Sequence, residues 1–494
     1  MVTSEPLDEI VLDACRQFGP STALSSDRIR ITYGELATKV GERAAAIDRA
    51  CAASPGSPRD RVGVHARNTV DYVLSYLAVL HTGRVPLLID AAFGDQELEE
   101  IRTGCGVTAF VVDRESADQF PLDGVVTPID DSEHALVTVG AGAEVPAMRA
   151  DTAVCRFTSG TTGVPKALEF SAFAVHSAAR NWVAGTGMSD ADRTLCLAAF
   201  TNGLAFNTSL LSSFLVGAEL YVYSGLPTSA KIVQALRSSR ATRMVAFPMV
   251  YEVLVDSAVD AEAFAGLEMA ISAGAPLKPK VRTEFEHRYR VRIADYYGVA
   301  EAGPCTFERD PCYRQGLGTP LPGVILRLAA NSTDQSEIAL HTTSMATAYL
   351  NAPGQLESRI DAEGYYATGD LGYLKDGRLF ISGRVGGPIN LAGRKVDPHE
   401  IELTVKDIEG VRDCVVFADQ DSDDRVFLHL AVATAKPLDR TDVVAGCRGR
   451  IADYKIPQRV SFVAEIPRSS AGKVRLTDLR RLLARPATTA GRVG

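Results

Sequence analysis

The chain has 494 residues, 46% of them hydrophobic and 23% charged, and carries a formal net charge of −9. That length exceeds what one ordinary core supports, so at least two domains are expected; the acidic balance excludes a basic footprint for nucleic acid or an anionic membrane surface. Nine cysteines without a C-x-x-C pair point to free thiols in a reducing compartment.

The start, "MVTSEPLDEIVLDAC", is acidic and lacks the basic and apolar pattern of a secretory signal, and no apolar run reaches membrane-spanning length. A cytoplasmic protein without membrane insertion is expected. The "SPGSPRD" segment from Ser54 reads as a surface loop. "DRVGVHA" reads as a strand, and apolar spacing at Val70, Val73, Leu74, Leu77 and Leu80 predicts a helix over Thr69–His81, closed by Gly83. "AVCRF" is a strand entering a loop, and "GAELYVYSG", "SAKIVQALRSSR" and "TRMVAFP" follow as strand, helix and strand. Such alternation argues an α/β architecture with largely buried sheets. At "ISGRVGGPINLAGRKVDPHEIE" three glycines in five residues interrupt the pattern, which resumes with a helix from His399 and the strands "CVVFADQ" and "RVFLHLAVA". Consecutive glycines suit a hinge. The expected domains are residues 1–385 and 386–494, and the tail from Pro486 is expected to fray.

The stretch "RFTSGTTGVPKALEF", Arg156–Phe170, has the makings of a phosphate cradle. Glycines such as Gly160 and Gly163 let backbone N–H groups approach phosphate oxygens, Thr158, Ser159, Thr161 and Thr162 add hydroxyl donors, and Lys166 supplies a point charge. The Walker pattern needs lysine directly after its last glycine, whereas Val164 and Pro165 intervene before Lys166.

"FTSGTTGVPK" resembles the phosphate loop of the adenylate-forming enzymes, the family of acyl- and aryl-CoA ligases, firefly luciferase and the adenylation domains of peptide synthetases. Three further motifs stand in that family's order. "YYGVAEAG" resembles its Y-G-x-T-E, with Ala300 in place of the usual threonine; the resemblance implies that Tyr297 stacks on adenine beside Gly298 and that Glu301 binds the Mg²⁺ bridging the ATP phosphates. "SAGAPL" resembles the adenine-side backbone segment, Gly274, Ala275 and Pro276. In "YYATGDLGYLKDGRLFISGR", Asp370 would accept hydrogen bonds from both ribose hydroxyls and Arg384 would bind the nucleotide from the hinge side. In "IPRSSAGKVRLTDL", Lys473 would neutralise charge on the carboxylate and α-phosphate, although Arg475 follows it at two residues where the family has three.

The resemblance implies a large N-terminal domain of layered αβ subdomains with a β-barrel-like element, and a small mobile α+β C-terminal domain. It implies ATP-dependent formation of an acyl-adenylate, catalysed by Lys473, Glu301 and Lys166, then transfer to a thiol. Coenzyme A is the expected acceptor; the alternatives are the pantetheine arm of a carrier protein and a non-catalytic nucleotide-binding homologue. Gly393 would line the pantetheine tunnel, and Arg394, Arg448 and Arg450 are candidate cations for coenzyme A. Gly386 and Gly387 replace the hinge Asp or Lys of many relatives.

The pocket-forming segment is expected at Leu195–Leu215, "LCLAAFTNGLAFNTSLLSSFL", which contains no charge. A buried substrate ammonium would lack a partner, so an α-amino acid is disfavoured. Phe200, Asn202, Gly203, Gly298 and Ala302 are the candidate pocket residues for an aryl or short acyl acid; packing of Phe200 and Phe206 in the core is the competing reading.

Overall fold

The structure, a computed structural model, describes residues 6–52, 60–129, 132–140, 145–158, 165–257, 259–310, 316–328, 336–384, 389–391, 394–396, 398–420, 426–467, 474 and 476–484. The chain forms two compact units, the larger of residues 1–327, 340–366 and 374–380, the smaller of residues 328–339, 367–373 and 381–494.

Two large sheets dominate the first unit. One runs, among the described residues, in the strand order Thr319–Pro320, Gly303–Phe307, Ile293–Val299, Met269–Ser272, Arg243–Ala246, Arg193–Cys196, Glu219–Val222, Thr22–Ser25, Arg30–Thr32. Its centre is parallel, and antiparallel hairpins close both edges. The other has the order Ala348–Tyr349, Lys166–Ser171, Thr152–Thr158, Val85–Leu88, Arg61–His65, Val107–Asp113, His134–Val139, Gly124–Pro128. Here Arg61–His65 pairs parallel with strands on either side.

The expected helix is Val70–His81, with the Thr69 hydroxyl accepting from the Tyr72 N–H at 3.2 Å. It is buried nearly all round, because it belongs to a helical layer shared by the inner faces of both sheets. Ala172–Thr186 belongs to the same layer, and Trp182 packs edge-on against Tyr296 and Phe307 of the first sheet. On that sheet's other face, Ser229–Ser239, Pro248–Val255 and Pro279–Tyr289 close a second core around Tyr251, Phe264 and Phe285. Strands buried on both faces explain the continuous apolar runs of the sequence.

A further four-stranded sheet has the order Val324–Arg327, Ser336–Thr342, Tyr366–Lys375, Arg378–Arg384. In the smaller unit Val411–Gln420 and Val426–Thr434 form an antiparallel hairpin, joined in parallel by Arg459–Val463. The helices Pro398–Lys406 and Arg440–Cys447 contribute Ile401, Val405 and Val443 to one core with Cys414, Leu428 and Leu430, the α+β arrangement expected for it. No disulfide joins any two of the described cysteines, and all of them are buried. Among the described residues no helix is long and apolar enough to cross a membrane. The expected domain boundary at Gly386, the loop at Ser54 and the tail from Pro486 lie outside the described residues.

Candidate nucleotide and acid site

The two limbs of the phosphate loop are neighbouring antiparallel strands, with Thr158 directly opposite Lys166. Pairing to the last residue before the loop fixes the separation of its ends and sets the lysine beside the threonine. Asn351 clamps the outgoing limb with both ends of its amide: Nδ2 donates to the Pro165 carbonyl at 2.8 Å, and Oδ1 accepts from the Ala167 N–H at 2.9 Å. Ser159, Gly160, Thr161, Thr162 and Gly163 lie outside the described residues.

The adenine-side candidates follow the carboxyl ends of adjacent parallel strands, where open α/β sheets bind ligands. Met269–Ser272 runs into the exposed turn Gly274–Ala275–Pro276, and its neighbour Ile293–Val299 carries Tyr297 and Gly298. Gly274 has φ +85°, a conformation that favours glycine. At Gly298 the pairing with the next strand shifts register, and an added Cβ would stand 2.6 Å from the Gly303 carbonyl oxygen.

The turn after Ile293–Val299 presents Glu301. Its carboxylate accepts a 2.7 Å hydrogen bond from the Tyr349 hydroxyl, and its backbone carbonyl accepts from the Ala346 N–H at 2.6 Å. The Tyr366 hydroxyl is buried near the same carboxylate and makes no hydrogen bond of ordinary geometry. Burial first, and then the charge of Glu301, push both tyrosines far above the usual phenol range. Both therefore remain protonated, and neither neutralises the carboxylate. The Arg359 guanidinium lies 4.8 Å from the Tyr366 ring centroid and tempers the shift. No group of three or more potential ligand side chains stands among the described residues. A single carboxylate is nonetheless a fitting protein ligand for Mg²⁺, which takes most of its coordination from water and phosphate oxygens.

In the acid segment, Asn202 caps a short helix by accepting from the Leu204 N–H at 2.9 Å, and Gly203 is its first residue. Phe200 is buried and stacks on Tyr72 at 6.1 Å, so it belongs to the core; Ala302 is also buried. Phe206–Leu210 then forms one π-helical turn, a departure from α geometry frequent at functional sites.

Leu195–Leu215 carries no charge of its own, yet the neighbouring strand brings one against it. Strand alternation puts Arg156 on the face of Val154, toward the shared helical layer, and the side chain is 4% exposed. Its guanidinium lies 4.4 Å from the Phe170 ring centroid and 5.1 Å from that of Phe206. Among the described residues Nη2 makes a single long hydrogen bond, 3.4 Å, to the Ala300 carbonyl, and Nε makes none. Gly203 makes room for it, since a Cβ there would stand 2.7 Å from Nη1. Burial lowers its pKa from 12.5 to about 10, against the opposing influence of Tyr296, Tyr76 and Glu301, so it is charged at neutral pH. The buried Asn207 Nδ2 also lacks a partner among the described residues. A lone arginine inside "AVCRF" was the available signal for this residue.

Asp370 and Arg384 belong to the smaller unit. Asp370 follows the left-handed Gly369 (φ +81°), and its N–H donates to the Thr368 hydroxyl at 3.0 Å. Arg384 ends its strand, and its side chain, like Gly386, Gly387, Gly393 and Lys473, lies outside the described residues. Of the candidate coenzyme A cations, Arg450 is paired with Asp407 at 2.5 Å.

A two-sheet α/β unit with a glycine- and threonine-rich loop between paired strands, a strand-end tyrosine and a turn carboxylate defines an AMP-binding enzyme. The chain belongs to that family: it matches the AMP-binding enzyme family over residues 11–350 and the AMP-binding enzyme C-terminal domain over residues 400–473. Among curated relatives it is 28% identical to a 3-[(3aS,4S,7aS)-7a-methyl-1,5-dioxo-octahydro-1H-inden-4-yl]propanoyl:CoA ligase of Mycobacterium tuberculosis, covering 96% of this chain and 98% of the relative. It is 25% identical to the 3-hydroxybenzoate–CoA ligase of Aromatoleum sp., covering 92% of each. Its fold matches the anthranilate CoA ligase AuaEII in complex with anthranoyl-AMP, with TM-score 0.71, 19% identity and 98% of each chain covered. It also matches ATP-bound MatB from Rhodopseudomonas palustris, with TM-score 0.67, 23% identity, and 96% of this chain and 98% of that one covered.

Proposed function

We propose that the protein is an AMP-forming acid:CoA ligase. A carboxylate oxygen of the acid attacks the α-phosphorus of ATP, the bond to the bridging oxygen breaks, and pyrophosphate leaves; the thiol of coenzyme A then attacks the acyl carbon and AMP departs. The observation that carries this reading is the Glu301 carboxylate, presented at the strand ends and accepting the hydrogen bond of a neutral tyrosine hydroxyl. Mg²⁺ bound there would offset phosphate charge. Thr158 and Lys166, held opposite one another, would grip the departing phosphates, and Lys473 would meet the charge that develops at the reacting phosphoryl group. Asp370 would hold the ribose and Tyr297 the adenine.

The acceptor rests on the coenzyme A ligases among the relatives. For the acid, the charge-free segment Leu195–Leu215 supports an aryl or short acyl skeleton, and Arg156 adds a reason against an α-amino acid, since a buried guanidinium repels a substrate ammonium. Gly386 and Gly387 would be the hinge between adenylation and thioester formation, and Gly393 would face the thiol. Acid-dependent pyrophosphate release, measured with and without coenzyme A across aryl, short-chain and long-chain acids, tests the reading. Release accompanied by a coenzyme A thioester is expected; a thioester formed only on a carrier protein would overturn the acceptor.

A further inference from the structure

Arg156 is a buried cation whose polar partners do not match its charge. Among the described residues it has no ion pair, one long hydrogen bond to a carbonyl, and two aromatic faces. Ser159–Val164, which follow it closely in the chain, contain no carboxylate. Leaving a guanidinium desolvated and unpaired is costly, and a protein interior ordinarily supplies an anion to such a group. Asn207 Nδ2 is a second orphaned donor within the same group of residues: a Cβ on Gly203 would stand 2.7 Å from Arg156 Nη1 and 3.6 Å from Asn207 Nδ2. Gly303, at φ +74°, leaves space for that amide, as a Cβ there would stand 3.0 Å from it. Two unsatisfied donors, one charged, thus converge on the first turn of the expected acid segment, beneath the carbonyl of Ala300.

We propose that Arg156 and Asn207 form the far end of the acid site and accept a second carboxylate, so that the substrate is a dicarboxylic acid. The inference rests on the ligase reading for the reaction, but its binding claim stands on these donors alone. One carboxylate of the acid takes part in the chemistry near Glu301; the other receives the two parallel N–H groups of the guanidinium fork and the amide N–H of Asn207. Phe170 and Phe206 pack against the guanidinium and hold its plane, so little ordering is left for the moment of binding. A monoacid of the same skeleton would leave both donors unpaired, the situation in which a polar site discriminates most strongly.

The test compares aliphatic diacids of three to five carbons and benzene dicarboxylates with monoacids of the same skeleton, by pyrophosphate release and by calorimetric binding to the full chain. For the wild type, kcat/KM is expected to favour at least one diacid over its monoacid by on the order of 10²-fold or more. Arg156→Leu should collapse that ratio toward one, and Arg156→Lys should restore only part of it, because lysine lacks the fork. Should Arg156→Leu fail to fold, the wild-type selectivity and the rise in melting temperature with diacid alone decide. Equal handling of diacids and monoacids by the wild type, or an equal loss for all acids in Arg156→Leu, would overturn the proposal. Diacid binding without pyrophosphate release would keep the subsite and overturn the ligase reading; release from monoacids alone would do the reverse.

Discussion

The rim and the floor of the larger unit's site are built on opposite plans. Rim residues, Lys166, Gly274–Pro276, Tyr297 and Glu301, sit in turns or at the ends of strands, and the Glu301 carboxylate already holds a partner. On the floor, Arg156 and Asn207 are buried among aromatic and aliphatic side chains, with donors left unmet. Activation of any acid through ATP passes through the same phosphoryl chemistry, so the rim can be stereotyped. What distinguishes one acid from another is the end remote from the reaction, and on the proposed floor a single inward arginine changes the character of an otherwise charge-free segment.

The largest effect should come from the rim. Glu301→Gln keeps the shape and the hydrogen bond from Tyr349 but removes the charge, and acid-dependent pyrophosphate release should fall about 10²- to 10³-fold, equivalent to about 3–4 kcal/mol. A loss below tenfold would mean that the carboxylate is not at the reacting end. On the floor, Gly203→Ala drives a methyl against Arg156 Nη1. Overpacking of this kind should cost about 1–3 kcal/mol of stability, read from the urea midpoint. In an Arg156→Leu background most of that cost should vanish; additive costs would show that the two positions do not compete for space.

The motifs assigned to the rim are contiguous: the loop limbs and the turn at Glu301 each announce themselves within a dozen residues, as does the helix after Thr69 in the layer between the sheets. Much of the rest depends on contacts between distant segments. Tyr349 reaches Glu301 across 48 positions, and Arg156 meets the Ala300 carbonyl across 144. The π-helical turn at Phe206–Leu210 has no local signature, since "FNTSL" is as compatible with an α-helix. Leu195–Leu215 contains no charged residue, yet a cation packs against it, because Arg156 belongs to a neighbouring strand. Phe200 shows the converse: an aromatic in the expected pocket segment packs on Tyr72 as core.

A smaller effect should follow from loosening the rim without touching its chemistry. Asn351→Ala removes both hydrogen bonds that pin Pro165 and Ala167, leaving a carbonyl and an N–H to find other partners. The cost should be about 1–3 kcal/mol, divided between stability and the grip on phosphate. KM for ATP should rise about tenfold, with selectivity between acids unchanged; a change in selectivity instead would mean that rim and floor are coupled.

The smallest effect is expected at the proposed hinge, which belongs to neither rim nor floor. Two successive glycines permit backbone conformations closed to other residues, so a side chain at Gly386 would narrow the conformers open to it. If that segment switches the enzyme between adenylation and thioester formation, restricting it changes the step that depends on the switch and spares the step already assembled. Gly386→Asp should therefore alter the rate of coenzyme A thioester formation a few-fold, about 1 kcal/mol in a barrier, while pyrophosphate release in a single turnover changes less. Parallel measurement of the two products decides, because equal effects on both would show that the glycines serve the fold of the segment and not its motion.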